Sequence, residues 1–445
     1  MTGVQTCALP ISMRKLGNNG RRVAIVYGVR TPFIKSGTLF KNLSAQELGR
    51  IATVELINRI EIDPKEIDEV IFGTVIPSPK APNLAREISL GAGIPSSVPA
   101  YTVTRACASA NQAITNAAES IVSGNADVLV AGGAESLSDM PVLFSKRFRT
   151  LLYDSYKGKN LIQRIKPFLN LHLRDLAPDI PALAEPSTGL TMGESAEKMA
   201  RENRISREDQ DAFAYRSHML AHKATEDGVL KKEIIHTLIP PDFSMLANFD
   251  NGIRGDTNIE ALSKLRPVFD RKYGTVTAGN SSPLTDGASS LILMAEEKAK
   301  SLGYEPLGYI RSYSYTALSP DDQLLMGPAY ATPIALERAG LALRHIDLVE
   351  MHEAFAAQAL SNIRAFASKK FAQEKLGRSE PIGEIDMDRF NVYGGSIAIG
   401  HPFGATGGRL TITILNELRR RGGNFGLITV CAAGALGMAM VVERE

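Results

Sequence analysis

The chain repeats itself, and a repeat of this length restricts the available folds more than any other feature. A helical pattern followed by Ile67-Asp68-Glu69-Val70-Ile71-Phe72 recurs as a helical pattern followed by Ile346-Asp347-Leu348-Val349-Glu350-Met351. Further on, Cys107 to Gly133 (a helical pattern, Gly124, then a strand-like run) has a counterpart in Thr406 to Ala432 (a helical pattern, Gly423, then a strand-like run). The offset grows from 279 to 299 residues, so the second copy carries about twenty extra residues, expected near Phe371 to Glu384. The unit is far too long for a solenoid. Two similar halves imply a duplicated core with a pseudo-twofold axis.

Short apolar runs alternate with helix-length segments. Val23 to Tyr27 is followed by a helix pattern over Ala45 to Ile60, opened by the capping-box pair Ser44 and Glu47, and then by Val70 to Phe72. Val128 to Ala131, Leu291 to Met294, Ile428 to Val430 and Met438 to Val442 are apolar on both faces, as strands buried between helix layers should be. The fold class is α/β, with one half over residues 22–298 and the other over 299–445. From Met140 to about Tyr273 the alternation gives way to helical patterns, which reads as an inserted, mostly helical lobe over 140–273. Within it Ser206 and Asp209 open a helix that should run to Asp227 and stop at Gly228. The stretch Ser145 to Arg174 holds eight Lys/Arg against one Asp, either a solvated helix face or a contact for an anionic ligand, a membrane surface or an acidic partner.

Composition narrows the function classes. A net charge of +2 over 445 residues argues against a nucleic-acid binder, and no apolar run reaches the ~18 residues that span a bilayer. Three cysteines without a C-x-x-C pair fit neither a disulfide framework nor a thiolate zinc site, so no metal is expected. The setting is taken as reduced and cytoplasmic. Residues 1–20 resemble translated sequencing adapter and lack a signal-peptide pattern; they are expected to be a non-native or disordered leader, with Met13 as the start and Cys7 outside the protein proper.

Several residues could carry chemistry. Cys107 follows a strand-like run and precedes a small-residue helix, where the helix amino terminus should lower its pKa from about 8.5; taken alone it is either a nucleophile or a small core residue. Cys431 falls at the carboxyl end of a strand, where α/β folds collect ligands, and is open to the same two readings. His401 sits in the glycine-dense Gly394 to Gly408, which lacks both the P-loop lysine and the G-x-G-x-x-G of a dinucleotide site. That absence excludes a Rossmann dehydrogenase. His352 ends the strand that begins at Leu348. His218 and His222 have a metal-compatible spacing but no third ligand, and are read as surface residues.

Cys107, His352-Glu353-Ala354-Phe355, Gly400-His401-Pro402 and Cys431-Ala432-Ala433-Gly434, in that order, resemble the thiolases from about Arg22 to the end. Gly274 to Ser282 and Asp286-Gly287-Ala288 support the match, and His352 replaces the asparagine of most thiolases, as in the branch of the trifunctional-complex β-subunit and its bacterial counterparts. The resemblance implies a thiolase fold: two βαβαβ-type halves layered α-β-α-β-α, with an inserted loop domain. It implies a degradative 3-ketoacyl-CoA thiolase in fatty-acid β-oxidation. Cys107 would form the acyl-enzyme, His401 would take its proton, Cys431 would serve as acid and base, and His352 would help His401 hold the thioester oxygen. The backbone N–H groups of Cys107 and Ala433 would hold the other oxyanion, and Glu353 would orient. Ser282, Phe355 and Met192 would contact coenzyme A, a co-substrate; no permanently bound cofactor is implied. Thr191 stands where many thiolases have a histidine that hydrogen-bonds CoA, which puts that contact in question, whereas Ala110 and Ala435 depart from the family pattern without removing a nucleophile or donor. The alternatives are an acetoacetyl-CoA-forming acetyl-CoA acetyltransferase and a non-catalytic thiolase-like lipid carrier or assembly subunit. Expected partners are acyl-CoA and CoA, a second copy in a homodimer, an enoyl-CoA hydratase/3-hydroxyacyl-CoA dehydrogenase subunit, and a membrane surface touched by Ser145 to Arg174; no nucleic acid is expected.

Overall fold

The computed structural model describes residues 20–179 and 184–445. Cys7, nearly all of the expected leader and Pro181 lie outside them. The strands are β1 Val23–Arg30, β2 Glu69–Gly73, β3 Ala100–Val103, β4 Val128–Glu135, β5 Thr285–Ala295, β6 Gly308–Ala317, β7 Leu348–Met351, β8 Phe425–Ala432 and β9 Leu436–Glu443. The principal helices are α1 Ala45–Ile60, α2 Leu84–Gly91, α3 Ser109–Val122, α4 Lys146–Lys157, α5 Met192–Glu202, α6 Arg207–Glu226, α7 Gly327–Ala339, α8 Ala356–Ala367, α9 Lys369–Leu376 and α10 Thr406–Arg421.

The strands follow the order β7-β8-β9-β6-β1-β5-β4-β2-β3, and the short strand Ile34–Lys35 pairs with β5. The order is the repeat made visible. In the first half β3-β2-β4-β5-β1 lie side by side; in the second, Phe390 bridges to β7, followed by β8, β9 and β6. The halves join where β1 meets β6 through only the pairs Ala24–Tyr309 and Ile25–Gly308. β2 runs parallel to β3 and β4, while β5 is antiparallel to β1 and β4, so each half is a mixed sheet.

The period of two in the strands divides the core into layers. Val128 and Val130 pack with α1 and α2 on the outside, whereas Leu129 and Ala131 pack with Ile114, Ala117 and Ile121 of α3. In the second half Ile428, Val430, Met438 and Met440 turn to that same central layer, while Leu427, Ala439 and Val441 turn outward to α7 and α8. Helices α3 and α10 thus lie between two sheet regions, each covered outside by its own helix pair. This is the five-layered arrangement expected. It requires the central helices to approach closely, and Gly407 of α10 sits where a Cβ would come within 2.1 Å of the Asn111 side chain of α3.

Local signals behave as their chemistry dictates. Ser44 and Glu47 cap α1 reciprocally, an arrangement worth about 1 kcal/mol. α6 begins after Ser206, which accepts from the Asp209 N–H, and ends before Gly228 at φ 70°. The extra residues of the second copy are found in two places rather than one. Val70 pairs with Ala100, but its counterpart Val349 bridges to Phe390, a separation larger by about eleven residues that α9 and its flanks account for. The remainder falls in the glycine loop before α10. His218 also differs from expectation: it is buried, its Nδ1 accepts from the Arg254 N–H at 3.3 Å, and burial lowers its pKa to about 4. His222, one turn on, is partly exposed beside Glu226.

Between β4 and β5 the chain leaves the sheet through α4, α5 and α6. Fully buried Arg30 of β1 ties this excursion down, pairing with Glu233 (2.7 Å) and with both oxygens of Asp250 (2.7 and 2.9 Å). Its outer part is different: α4 and Leu161–Ile165 contain no buried residue. No helix among the described residues is long and apolar enough to cross a membrane.

Candidate active site

The amino termini of the two central helices converge, and the candidate residues gather there. Cys107 lies between β3 and α3. Ala106 adopts a left-handed conformation (φ 44°), and Ser109 Oγ accepts from the Arg105 N–H (2.8 Å) while donating to the Ala106 carbonyl (2.7 Å). This tight turn sets the cysteine at the lip of the helix. The backbone N–H groups of Cys107 and Ala433 both favour a negative charge on its sulfur.

Those two donors do not produce a thiolate in the free site. Burial pushes the Cys107 thiol up to about 11, against the pull of the two N–H groups and with a further push from Glu135. The expected lowering by the helix terminus is therefore overruled by desolvation. Burial likewise lowers His401 to about 3, helped by the charge of Arg409. Both shifts favour a neutral thiol at Cys107 and a neutral imidazole at His401 in the free site.

His352 follows β7, its N–H held by the Thr429 carbonyl at 2.9 Å. The His352 and His401 rings stand 4.0 Å apart between centroids, and one ring nitrogen of each lies within 4.8 Å of the Cys107 sulfur and of the other. Nε2 of each histidine is buried without a protein partner. Burial, His401 and Arg409 hold His352 well below its ordinary pKa. Nδ1 of His352 meets Ser396 Oγ at 2.8 Å, and Nδ1 of His401 meets Thr406 Oγ1 at 2.6 Å. A cysteine and two imidazoles form a donor set that soft metal ions accept, but the buried Arg409 cation behind both rings opposes a second positive charge.

Cys431 is the penultimate residue of β8, opposite Gly437 and fully buried, its thiol pushed well up by burial and by its neighbour Cys107. The following turn carries Ala433, then Gly434 (φ 80°) and Ala435 (φ 56°), and Glu185 accepts from the Gly434 N–H at 2.8 Å. Glu353 is buried and accepts from Asn391 (2.6 Å), Ser217 (2.7 Å) and the Ile397 N–H (3.3 Å), so its oxygens are committed to holding the histidine loops. Ser282, Phe355 and Met192 form a second group. The Ser282 N–H donates to the Ala354 carbonyl at 2.9 Å, and Phe355 stands edge-on to Phe269 at 6.1 Å, in a cluster that Met192 joins. Thr191 is the amino-terminal cap of α5, its hydroxyl occupied by Glu194.

Sequence reasoning missed the buried supports. Glu135 accepts from Thr74 (3.0 Å), from the N–H groups of Val75 (2.9 Å) and Ile76 (3.1 Å), and across the halves from Gly404 (2.9 Å); burial raises it to about 6. Arg409, fully buried, pairs with Glu350 at 2.9 Å, whose carboxyl burial raises to about 8 against that pairing. The only sequence signal for either was a charged residue in a stretch that otherwise reads as core.

Residues 23–297 match the family described as thiolase, N-terminal domain, and residues 304–444 match thiolase, C-terminal domain. The chain is 54% identical over 426 residues to a 3-ketoacyl-CoA thiolase of Shewanella woodyi, covering 96% of this chain and 98% of the relative. It is also 54% identical to one of Photorhabdus laumondii, covering 97% and 99%. Among solved structures, an acetyl-CoA acetyltransferase of Bacillus anthracis superposes with a TM-score of 0.82 at 35% identity, covering 96% of this chain and 99% of that one. Human mitochondrial 3-ketoacyl-CoA thiolase in complex with CoA gives 0.80 at 32% identity, covering 96% and 98%.

Proposed function

The chain belongs to the thiolase family, and from that premise we propose that it is a 3-ketoacyl-CoA thiolase, an acyltransferase that splits 3-ketoacyl-CoA with CoA into acetyl-CoA and a shortened acyl-CoA. The single observation that carries this is the convergence of Cys107, His352 and His401 within 4.8 Å, with Cys431 against the nucleophile. Cys107 attacks the 3-keto carbon as His401 takes its proton, and the tetrahedral oxyanion is met by the N–H groups of Cys107 and Ala433. The C2–C3 bond then breaks. The acyl group stays on sulfur, and the acetyl-CoA enolate leaves, its oxygen held by His401 and His352 and its carbon protonated by Cys431. In the second half Cys431 takes the proton of an incoming CoA thiol, whose sulfur displaces the acyl group and returns Cys107. Both thiols rest protonated, which suits Cys431 to give its proton first and recover one later.

Ser282, Phe355 and Met192 are assigned to CoA contact, and CoA enters as co-substrate. The longer-chain degradative reading is preferred to acetoacetyl-CoA formation on the 54% identity, over nearly the whole chain, to 3-ketoacyl-CoA thiolases. We assign the enzyme to cytoplasmic fatty-acid β-oxidation, with β3, the free edge of the sheet among the described residues, offered to a second copy in a homodimer. The basic stretch Ser145 to Arg174 exposes Tyr156, Leu161, Ile162, Leu169 and Leu173 beside its cations, a surface suited to a hydratase/dehydrogenase subunit or an anionic membrane. Salt-sensitive association with that subunit or with anionic vesicles is expected; no association with either at low ionic strength would remove the assignment.

Incubation with 3-ketoacyl-CoA substrates of graded length, followed by peptide mass analysis, tests the chemistry. An acyl adduct on Cys107 is expected, with Cys107→Ser losing it and nearly all turnover. Full turnover by that variant would end the proposal, and preference for acetoacetyl-CoA over 3-ketohexadecanoyl-CoA would replace the degradative reading.

A further inference from the structure

Resting on the site's reading as a thiolase, we propose that Ser396 and Arg409 are positioning residues that fix the tautomer of His352, making its Nε2 a standing hydrogen-bond donor while His401 presents a bare Nε2 to Cys107. Counting donors leads there. A guanidinium has donors and no acceptor. Arg409 donates from one terminal nitrogen to Glu350 (2.9 Å) and from the other to Ser396 Oγ (3.3 Å). The serine oxygen thus accepts from Arg409; it has a second lone pair, but its own buried proton needs an acceptor, and the one neighbour that can take it is Nδ1 of His352 at 2.8 Å. With the hydroxyl donating there Nδ1 is bare, and a neutral ring carries its proton on Nε2. The count holds whether or not Glu350 is ionised, because Arg409 is a donor in either case.

At His401 the same count gives the opposite tautomer. Unlike Ser396, the Thr406 hydroxyl has a carbonyl acceptor of its own, that of Pro402 at 3.1 Å; with its proton there, its oxygen accepts from Nδ1–H of His401 at 2.6 Å and Nε2 is bare, the form that a base for the Cys107 thiol requires. Both Nε2 atoms are buried and unpartnered, and each ring brings one nitrogen within 4.8 Å of the Cys107 sulfur; on this count one Nε2 is a donor without an acceptor and the other an acceptor without a donor. Acylation and enolate release need one of each: a base for the thiol proton, and a donor where charge develops on oxygen. Arg409 reaches this position from the first turns of α10, the helix that also supplies Thr406, so one helix amino terminus sets both rings in opposite senses.

Nitrogen-15 NMR of the full-length protein labelled at histidine, without substrate, reads the tautomers directly, with His352→Asn and His401→Asn assigning the signals. His352 is expected to show a bare Nδ1 and protonated Nε2, and His401 the reverse; a protonated Nδ1 on His352 overturns the proposal. Ser396→Ala should mix the His352 tautomers and leave His401 unmoved, with kcat falling about ten- to a hundredfold, less than the 10²–10³ for deleting a donor outright, and KM changing by less than about threefold. Ser396→Thr, which keeps the hydroxyl, should restore both. Added to His352→Asn, whose amide donates without a tautomer, Ser396→Ala should cost less than about threefold; an undiminished loss there would show that Ser396 does not act through His352. Should the variants fail to fold, the wild-type spectrum alone decides. Failure of the thiolase reading itself would show separately, as no acyl adduct on wild-type Cys107.

Discussion

The two halves share a strand order and a central helix, yet they divide the site unequally. The first contributes one of the candidate side chains, Cys107 at the lip of α3; the second contributes His352, His401 and Cys431. The difference lies where the second copy departs from the first. His401 rides on a glycine loop longer than its counterpart between β3 and α3, and Cys431 precedes the three-residue turn 433–435 that joins β8 to β9. In the first half the equivalent strands β4 and β5 are joined instead by the whole excursion through α4, α5 and α6. Duplication thus supplies a rigid frame with two helix termini facing one point, and chemistry is added in the loops.

The unequal division is broken most severely by Cys431→Ala. Turnover should fall by about 10²–10⁴, the usual worth of a positioned acid–base group, while Cys107 remains open to alkylation at the wild-type rate. Steady-state assay and intact mass measure the two, and a loss of alkylation in step with turnover would mean that the halves do not act separately. Gly133→Ala comes next. A Cβ there would lie 1.8 Å from the carbonyl oxygen of Gly404, backbone against backbone across the seam, whereas its repeat counterpart Ala432 carries a methyl without difficulty. Destabilisation of about 3 kcal/mol or more is expected in denaturant unfolding, and a loss under about 1 kcal/mol would mean that the seam can part.

The resting state of the shared site is tested by the pH dependence of Cys107 alkylation with a neutral reagent. With the thiol pushed to about 11, the thiolate fraction is small at neutral pH and grows about tenfold per pH unit from 7 to 9. A plateau already reached at pH 7 would instead reveal a thiolate paired with imidazolium, contrary to the lowering of His401 to about 3.

What was legible in the sequence follows the same division. The alternating runs gave the strands, and the repeat gave the halves, because burial on both faces leaves a continuous apolar signature. Cys107, His352, His401 and Cys431 were legible as candidates because each sits in a short motif where a strand ends or a helix begins. Glu135, Glu185, Ser396 and Arg409 were not: each is a polar residue in an apolar or small-residue stretch, and whether it points outward or into a neighbouring loop is decided by contacts beyond its own element, 59 residues away for Arg409 with Glu350 and 269 for Glu135 with Gly404. His218 failed in the opposite direction, since its partner, the Arg254 N–H, comes from an irregular segment with no pattern to announce it. The Cys107 pKa was misjudged for a related reason, because a helix terminus can be read from sequence and the depth of burial cannot.

The smallest effect belongs to the turn that has no equivalent in the first half. Ala435 holds φ at 56°, a left-handed conformation that costs a residue with a Cβ about 1–2 kcal/mol and costs glycine almost nothing. Ala435→Gly removes that cost but gives the unfolded chain more freedom, worth about 0.4–1 kcal/mol in the other direction. The strain is the larger of the two, so a net gain of about 0.5–1 kcal/mol is expected in denaturant unfolding. Turnover should stay within about threefold, because Ala433 keeps its N–H toward Cys107 and Glu185 still holds Gly434. If the variant is instead destabilised, the left-handed angle at Ala435 costs less than the freedom glycine adds to the unfolded chain, and the short connection of the second half carries no more backbone strain than the long one of the first.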